Sequence, residues 1–228
     1  MWLRKNINAI IAIATLITSV VTCYLSYQQT KIVDYQIEMA RREKQPIFEI
    51  KKSIIDWNHD GVDDTECMMI RIIKNETKEI YSIKCSTYYK IEKTINSGKE
   101  FRIDTTIYVP INGYFGSHGE PYGHTDIVVC DTTENNYQSY TIFRGECLDK
   151  SIIDRNAGYS CDKIDFIEIK YKDVYGMDET IYFEGSRLST KEMYQYVDEL
   201  AKRGFRNNSF HFYYVKLDDV LRGGVGGN

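Results

Sequence analysis

The sequence predicts an N-terminal transmembrane helix and helical stalk followed by a mainly-β domain, a sandwich or small barrel, with one late helix. Three observations carry that reading. Ile7 to Leu25 is an unbroken run of 19 uncharged residues. Residues 28–45 hold neither Gly nor Pro and place opposite charges at helical spacing. Beyond Pro46 the apolar period drops to two, in a chain whose 19 Tyr favour strands.

The apolar run comes first. At about 1.5 Å per residue it covers roughly 28 Å, enough for a bilayer core. Trp2 precedes it, and Tyr24 and Tyr27 mark its far end, where amphipathic rings prefer the headgroup level. A cleaved signal peptide shares the basic start, Arg4 and Lys5, but no A-x-A-like site follows. Val20-Val21-Thr22-Cys23 is close to a lipoprotein cleavage motif, yet Thr22 stands where Gly, Ala or Ser is needed. The expectation is an uncleaved single-pass anchor over residues 1–27 in the cell membrane. Lys31, Arg41, Arg42 and Lys44 on the C-terminal flank outnumber Arg4 and Lys5, which favours a cytoplasmic body. Cysteine usage agrees: Cys67, Cys85, Cys130, Cys147 and Cys161 are odd in number and lack framework spacing, as suits a reducing compartment.

Within the run, Asn8, Ala12, Thr15, Ser19, Thr22 and Ser26 follow one another at spacings of 4, 3, 4, 3 and 4. Small and polar residues on one helix face let a second helix approach closely in lipid, so a homo-oligomer is expected. The competing reading is that each hydroxyl bonds back to its own helix. The stalk, 28–45, carries Lys31, Asp34, Glu38, Arg41 and Arg42 and stops before Pro46.

The β-rich soluble domain is expected over 46–219. Its candidate strands are 47–55, 66–74, 80–92, 100–109, 125–131, 137–144, 164–174, 179–184 and 209–217. Ile167, Ile169 and Tyr171 alternate with Glu168, Lys170 and Lys172; Ile83, Cys85, Thr87, Tyr89 and Ile91 form another one-sided face. One late helix is expected after Ser189, with Glu192 completing a capping box and Gly204 closing it. Residues 220–228 read as a flexible Gly-rich tail.

The layout resembles bacterial single-span membrane proteins with a C-terminal β-sandwich-like domain. In those, a basic stalk leads into a P-x-F-x-I strand, here Pro46-Ile47-Phe48-Glu49-Ile50. An Asn-containing turn follows the second strand, compare Asn75-Glu76-Thr77, and a Tyr-x-Asp-x-x-Gly turn comes late, compare Tyr171 to Gly176. The resemblance implies a fold and a location, and carries no chemistry.

Two loops could hold metal. Asp56-Trp57-Asn58-His59-Asp60-Gly61-Val62-Asp63-Asp64 fits the first nine positions of a Ca²⁺ loop. Asp56, Asn58, Asp60 and Asp64 would supply oxygens, and Gly61 the tight turn. The closing Glu is missing, because Cys67 occupies the twelfth position and Glu66 falls one residue early. A plain polar turn between strands competes with it. In the second loop, His118, Glu120, His124 and Asp126 could ligate Zn²⁺, and Phe115-Gly116-Ser117-His118-Gly119 narrowly misses G-x-S-x-G. No Walker loop, dinucleotide fingerprint, HExxH or CxxC is present. Catalysis is not expected, nor a cofactor beyond Ca²⁺. An acidic body argues against general nucleic-acid binding: residues 46–228 carry 23 Lys/Arg against 30 Asp/Glu.

The expectation is a membrane-anchored, non-enzymatic sensing or docking protein that oligomerises through its helix and binds a protein or small-molecule ligand with its β domain. Bacterial anti-phage defence is one setting, by analogy of architecture. The alternative is an exported, Ca²⁺-stabilised surface or adhesion module. A third reading is a metallohydrolase built on 118–126.

Overall fold

The computed structural model describes residues 2–74, 77–96, 100–116, 127–154, 156–205 and 208–223. The chain divides into two compact units, Met1–Gln45 and Pro46–Asn228.

The first unit is one helix, α1 (Trp2–Glu43), of 42 residues and about 63 Å. It contains a stretch long and apolar enough to cross a bilayer, and none of that stretch is buried. Its end is dictated locally. Pro46 cannot continue the ladder, and the Lys44 and Gln45 amides reach back to the Arg41 and Arg42 carbonyls at 3.1 and 3.2 Å. Arg41 and Arg42 complement the dipole of the last turn, and Arg42 pairs with Glu38 at 2.6 Å. Along the small-residue stripe, the Thr15, Ser19 and Thr22 hydroxyls donate to the carbonyls of Ile11, Thr15 and Thr18. Ala12 and Ser26 are exposed on the same helix, and the Asn8 side chain lies outside the described residues.

The second unit has nine strands among the described residues, in two sheets. The three-stranded sheet runs β1 (Ile47–Ile55), β2 (Thr65–Lys74), β5 (Ile127–Thr132), all antiparallel. The six-stranded sheet has the order β8-β7-β6-β3-β4-β9, built from β3 (Glu79–Asn96), β4 (Phe101–Asn112), β6 (Ala157–Lys172), β7 (Asp178–Glu184), β8 (Arg187–Ser189) and β9 (Phe210–His211). Only the short β4–β9 pair is parallel, so the sheet is mixed.

Strand alternation decides what each face does. Phe48 and Ile50 of β1 and Met68 and Ile70 of β2 turn inward to meet Tyr89 and Ile91 of β3, Val109 of β4, and Ile167 and Ile169 of β6 in one apolar core. The opposite face of the six-stranded sheet is covered too. Tyr88, next to Tyr89, joins Phe166, Val197 and Ala201 in a smaller cluster under α3 (Lys191–Phe205). The β6–β7 hairpin is the Tyr-x-Asp-x-x-Gly turn: the Asp173 carboxylate accepts from the Tyr175 and Met177 amides at 2.9 Å. Gly176 there has φ 81°, a conformation that side chains disfavour.

Several expectations are corrected. Residues 137–144 are not a strand but part of α2 (Asn136–Ile153). The buried positions Asn136, Tyr140, Phe143 and Cys147 fall at helical intervals, and packing against β6 overrides the strand propensity of Tyr, Thr, Ile and Phe. The domain therefore has more than one late helix. Residues 209–217 form a strand only at Phe210–His211, and α4 (Leu217–Gly223) follows, taking in four residues read as tail. The cap of α3 is Thr190, whose Oγ1 accepts from the Met193 amide at 3.2 Å, so Ser189 is not the cap. Gly204 lies inside the last turn of α3. Asn75 and Glu76 lie outside the described residues.

Candidate functional site

The most unusual feature of the body is a cluster of four charges in the core, between the two sheets. It arises from parity. Lys52 continues the inward series Phe48, Ile50 on β1, and Glu66 precedes Met68 and Ile70 on β2. Lys163 and Asp165 sit between Cys161 and Ile167 on the inward face of β6, and Thr87 lies beside Tyr89 on β3.

Asp165 is the hub. Its side chain is only 1% exposed, against 9% for Glu66 and Lys163 and 23% for Lys52. Lys52 and Lys163 both donate to its Oδ2, while the Thr87 hydroxyl donates to Oδ1 at 2.7 Å. Lys163 also reaches Glu66 at 2.9 Å, and Lys52 lies 3.9 Å from Glu66. The Tyr114 hydroxyl donates to Glu66 Oε2 at 2.7 Å. The rings of Tyr114 and Phe115 lie 4.5 and 5.3 Å from the Lys163 ammonium, close enough for cation–π attraction. Two cations thus balance two anions in a site closed by aromatic walls.

Electrostatics follow from this geometry. Burial pushes the Asp165 carboxyl up, but Lys163 and then Lys52 outweigh it by charge and hydrogen bonding, so the group is held below its ordinary range and stays ionised. Burial, reinforced by the Glu66 charge, pushes the Tyr114 phenol well above its ordinary value, so it remains a donor. Asn136, at the start of α2 and fully buried, frames the site. Its Oδ1 accepts from the Glu66 amide at 2.6 Å, and its Nδ2 donates to the Glu66 and Tyr114 carbonyls at 3.0 and 2.9 Å. Each charge has its counter-charge, so the cluster forms a lock between the two sheets.

Beside this lock, where β3 and β4 meet α3, lies a cleft of about 250 Å³. Thr87, Tyr114 and Phe115 belong to both. The other wall is polar: Lys84 donates to the Tyr194 hydroxyl at 3.0 Å, and Tyr88 donates to Asp198 at 2.9 Å. Tyr194 also packs on Tyr182, ring centroids 6.1 Å apart. An aromatic surface with hydroxyls, one ammonium and one carboxylate suits a small polar molecule or an inserted side chain.

The sequence-predicted Ca²⁺ residues are brought together in part. Asp56 accepts from the Asp60 and Gly61 amides at 3.1 and 2.8 Å, and Asn58 Oδ1 accepts from the same Asp60 amide at 3.1 Å. Asp60 Oδ1 in turn accepts from the Val62 amide at 2.9 Å. His59 and Gly61 have φ of 61° and 91°, which wind this loop tightly. Asp64 is buried, and its Oδ1 accepts from the Thr65 hydroxyl at 2.7 Å and from the Trp57 amide, beside Asp56, at 3.4 Å. Glu66, the nearest residue to the closing position, points inward to Lys163 and Tyr114. Among the described residues no three His, Cys, Asp or Glu side chains gather as a metal-binding group. The oxygens of Asp56, Asn58 and Asp60 are engaged as acceptors within the turn. Millimolar Ca²⁺ should therefore leave the thermal midpoint of the chain unchanged; a rise of several degrees that Asp60→Ala abolishes would install Ca²⁺ there.

His118, Glu120, His124 and Asp126 lie outside the described residues. Of the remaining histidines, His211 packs against Phe212 in a tilted arrangement, with ring centroids 4.8 Å apart. The cluster of Lys52, Glu66, Lys163 and Asp165 was missed by sequence reasoning, although extending the Ile167, Ile169, Tyr171 alternation backwards places Asp165 and Lys163 on the buried face.

Compared with family models, curated proteins and solved structures, the chain matches none.

Proposed function

We propose that this chain is a membrane-anchored, non-catalytic sensing or docking protein. Its α1 helix holds it in the bilayer and self-associates there, and its β domain receives a ligand or partner at the cleft lined by Lys84, Tyr194 and Asp198. The carrying observation is α1 itself: Ile11, Ile13, Leu16, Ile17, Val20 and Val21 are all at least half exposed, an apolar surface that water does not tolerate and lipid does. The internally paired cluster of Lys52, Glu66, Lys163 and Asp165 supports a binding scaffold over an enzyme. Bacterial anti-phage defence is a setting that fits such an architecture by analogy.

Self-association has a specific form on this reading. Thr15, Ser19 and Thr22 spend their hydroxyls on their own helix, so the stripe works by small size, letting backbones approach. Thr15→Leu with Ser19→Leu should then weaken association of the span in a membrane two-hybrid assay by several-fold, while Ile17→Leu should not. Close packing is shared along the stripe, so the double substitution is required. Equal association of double mutant and wild type would remove the stripe from the account.

A further inference from the structure

Outside the candidate site, the molecule places two thiols against each other in its core. Cys147 of α2 and Cys161 of β6 are both buried in the same apolar core, and the Cys161 thiol donates to the Asp162 carbonyl at 3.9 Å. Their register is fixed by pins on either side. Towards the start of α2, the Tyr140 hydroxyl donates to the Cys161 carbonyl at 3.3 Å. Towards its end, Ser151 Oγ accepts from the Tyr159 amide at 2.6 Å and also bonds the Cys147 carbonyl at 2.9 Å. Helix and strand therefore run back along each other with position 151 opposite 159, which brings position 147 alongside 161.

We propose that Cys147 and Cys161 form a closable dithiol, whose intramolecular disulfide staples α2 to β6 when the chain meets a small disulfide oxidant such as oxidised glutathione. The neighbouring Cys161 thiol lowers the Cys147 pKa, whereas Cys147 and burial raise that of Cys161, so Cys147 is the first to ionise. Its thiolate attacks one glutathione sulfur and expels a glutathione thiolate. Cys161 gives its proton to solvent and attacks Cys147 Sγ, expelling the second glutathione thiolate. One S–S and two S–H bonds become one S–S and two S–H bonds, and the protein is oxidised by two electrons. Burial keeps the pair reduced in the closed native state, so the exchange proceeds through local opening of α2.

The consequence reaches the charged cluster. α2 begins with Asn136, which frames Glu66 and Tyr114, and β6 carries Lys163 and Asp165. A bond between Cys147 and Cys161 closes a short loop and so restricts the unfolded state, holding both halves of the frame together. The device stays open in a reducing compartment and closed in an oxidising one.

The test incubates the full chain in detergent micelles with reduced or oxidised glutathione, with and without sub-denaturing urea to promote opening. Free thiols are then blocked, and the chain is digested with trypsin and mass-mapped. The expected product is peptide 145–150 linked to peptide 156–163 under oxidation in at least the urea arm, with a thermal midpoint several degrees higher that reductant reverses. Cys147→Ala should abolish both the link and the oxidation-dependent shift. Recovery of the two peptides unlinked or separately glutathionylated in both arms would overturn the proposal. So would linkage of either to another cysteine, or a link that leaves the midpoint where it was.

Discussion

Replacing Asp165 by alanine is expected to destabilise the domain by about 3–5 kcal/mol, because it leaves two ammonium groups, Lys163 buried and Lys52 half-buried, facing one carboxylate. For a domain of this size that lowers the thermal midpoint by roughly 10 °C. The loss is one of charge compensation rather than of volume, and a second variant separates the two. Exchanging Lys163 and Asp165 together for Met and Leu removes both signs at once and should recover much of the stability. The pH dependence has a definite sign. The folded-state pKa of Asp165 is depressed by Lys163 and Lys52, so its stabilisation is present above the unfolded-state value of about 4 and is lost as pH falls through the folded-state value. Unfolding curves of wild type and Asp165→Ala should therefore converge as pH drops below about 4. An Asp165→Ala chain within about 1 kcal/mol of wild type at neutral pH would mean that the cluster does not bind the sheets together.

Asn136→Ala should be nearly as costly, about 3 kcal/mol. The amide serves three backbone groups, the Glu66 N–H and the Glu66 and Tyr114 carbonyls, from a fully buried position. Asn136→Asp keeps the acceptor but loses both donors and buries a charge, so it should fare no better. The adjacent Asn135 is the contrast. It holds φ 60° without a side-chain cap bond, so Asn135→Gly should be neutral or slightly stabilising. Urea denaturation of the three variants, read by circular dichroism, gives the order directly. Equal stability of Asn136→Ala and Asn135→Gly would contradict the frame described for α2.

What the sequence made legible was whatever depends on neighbours along the chain. The apolar run to Leu25 and the stop at Pro46 are local, and α1 follows them. The alternation through Ile83 to Ile91 and through Ile167 to Tyr171 is equally local, and β3 and β6 follow it. The late helix was found, but its cap moved one residue, from Ser189 to Thr190, since either hydroxyl can serve. The α2 helix was misread because Tyr137, Tyr140, Thr141, Ile142 and Phe143 are strand formers by type, and only packing of Tyr140, Phe143 and Cys147 on the core makes them helical. The charged cluster was missed for a different reason. Lys and Asp within an alternating strand read as solvent-facing until counter-charges from two other strands, Lys52 of β1 and Glu66 of β2, are placed beside them. Parity along β6 did carry the signal, since Lys163 and Asp165 share the face of Cys161 and Ile167. The Ca²⁺ pattern was legible as a tight polar loop, which Asp56 and Gly61 make, whereas the inward turn of Glu66 depends on Lys163, nearly a hundred residues away.

The central claim is that α1 remains part of the protein and holds it in a bilayer. The most direct measurement is the intact mass of the chain recovered from membranes washed in alkaline carbonate. The account predicts that the chain stays in the washed membranes at its full 26.7 kDa, while a chain lacking residues 1–45 is found in the soluble fraction. Recovery of the full-length chain in the soluble fraction, or of a product cleaved within the first 30 residues, would contradict it.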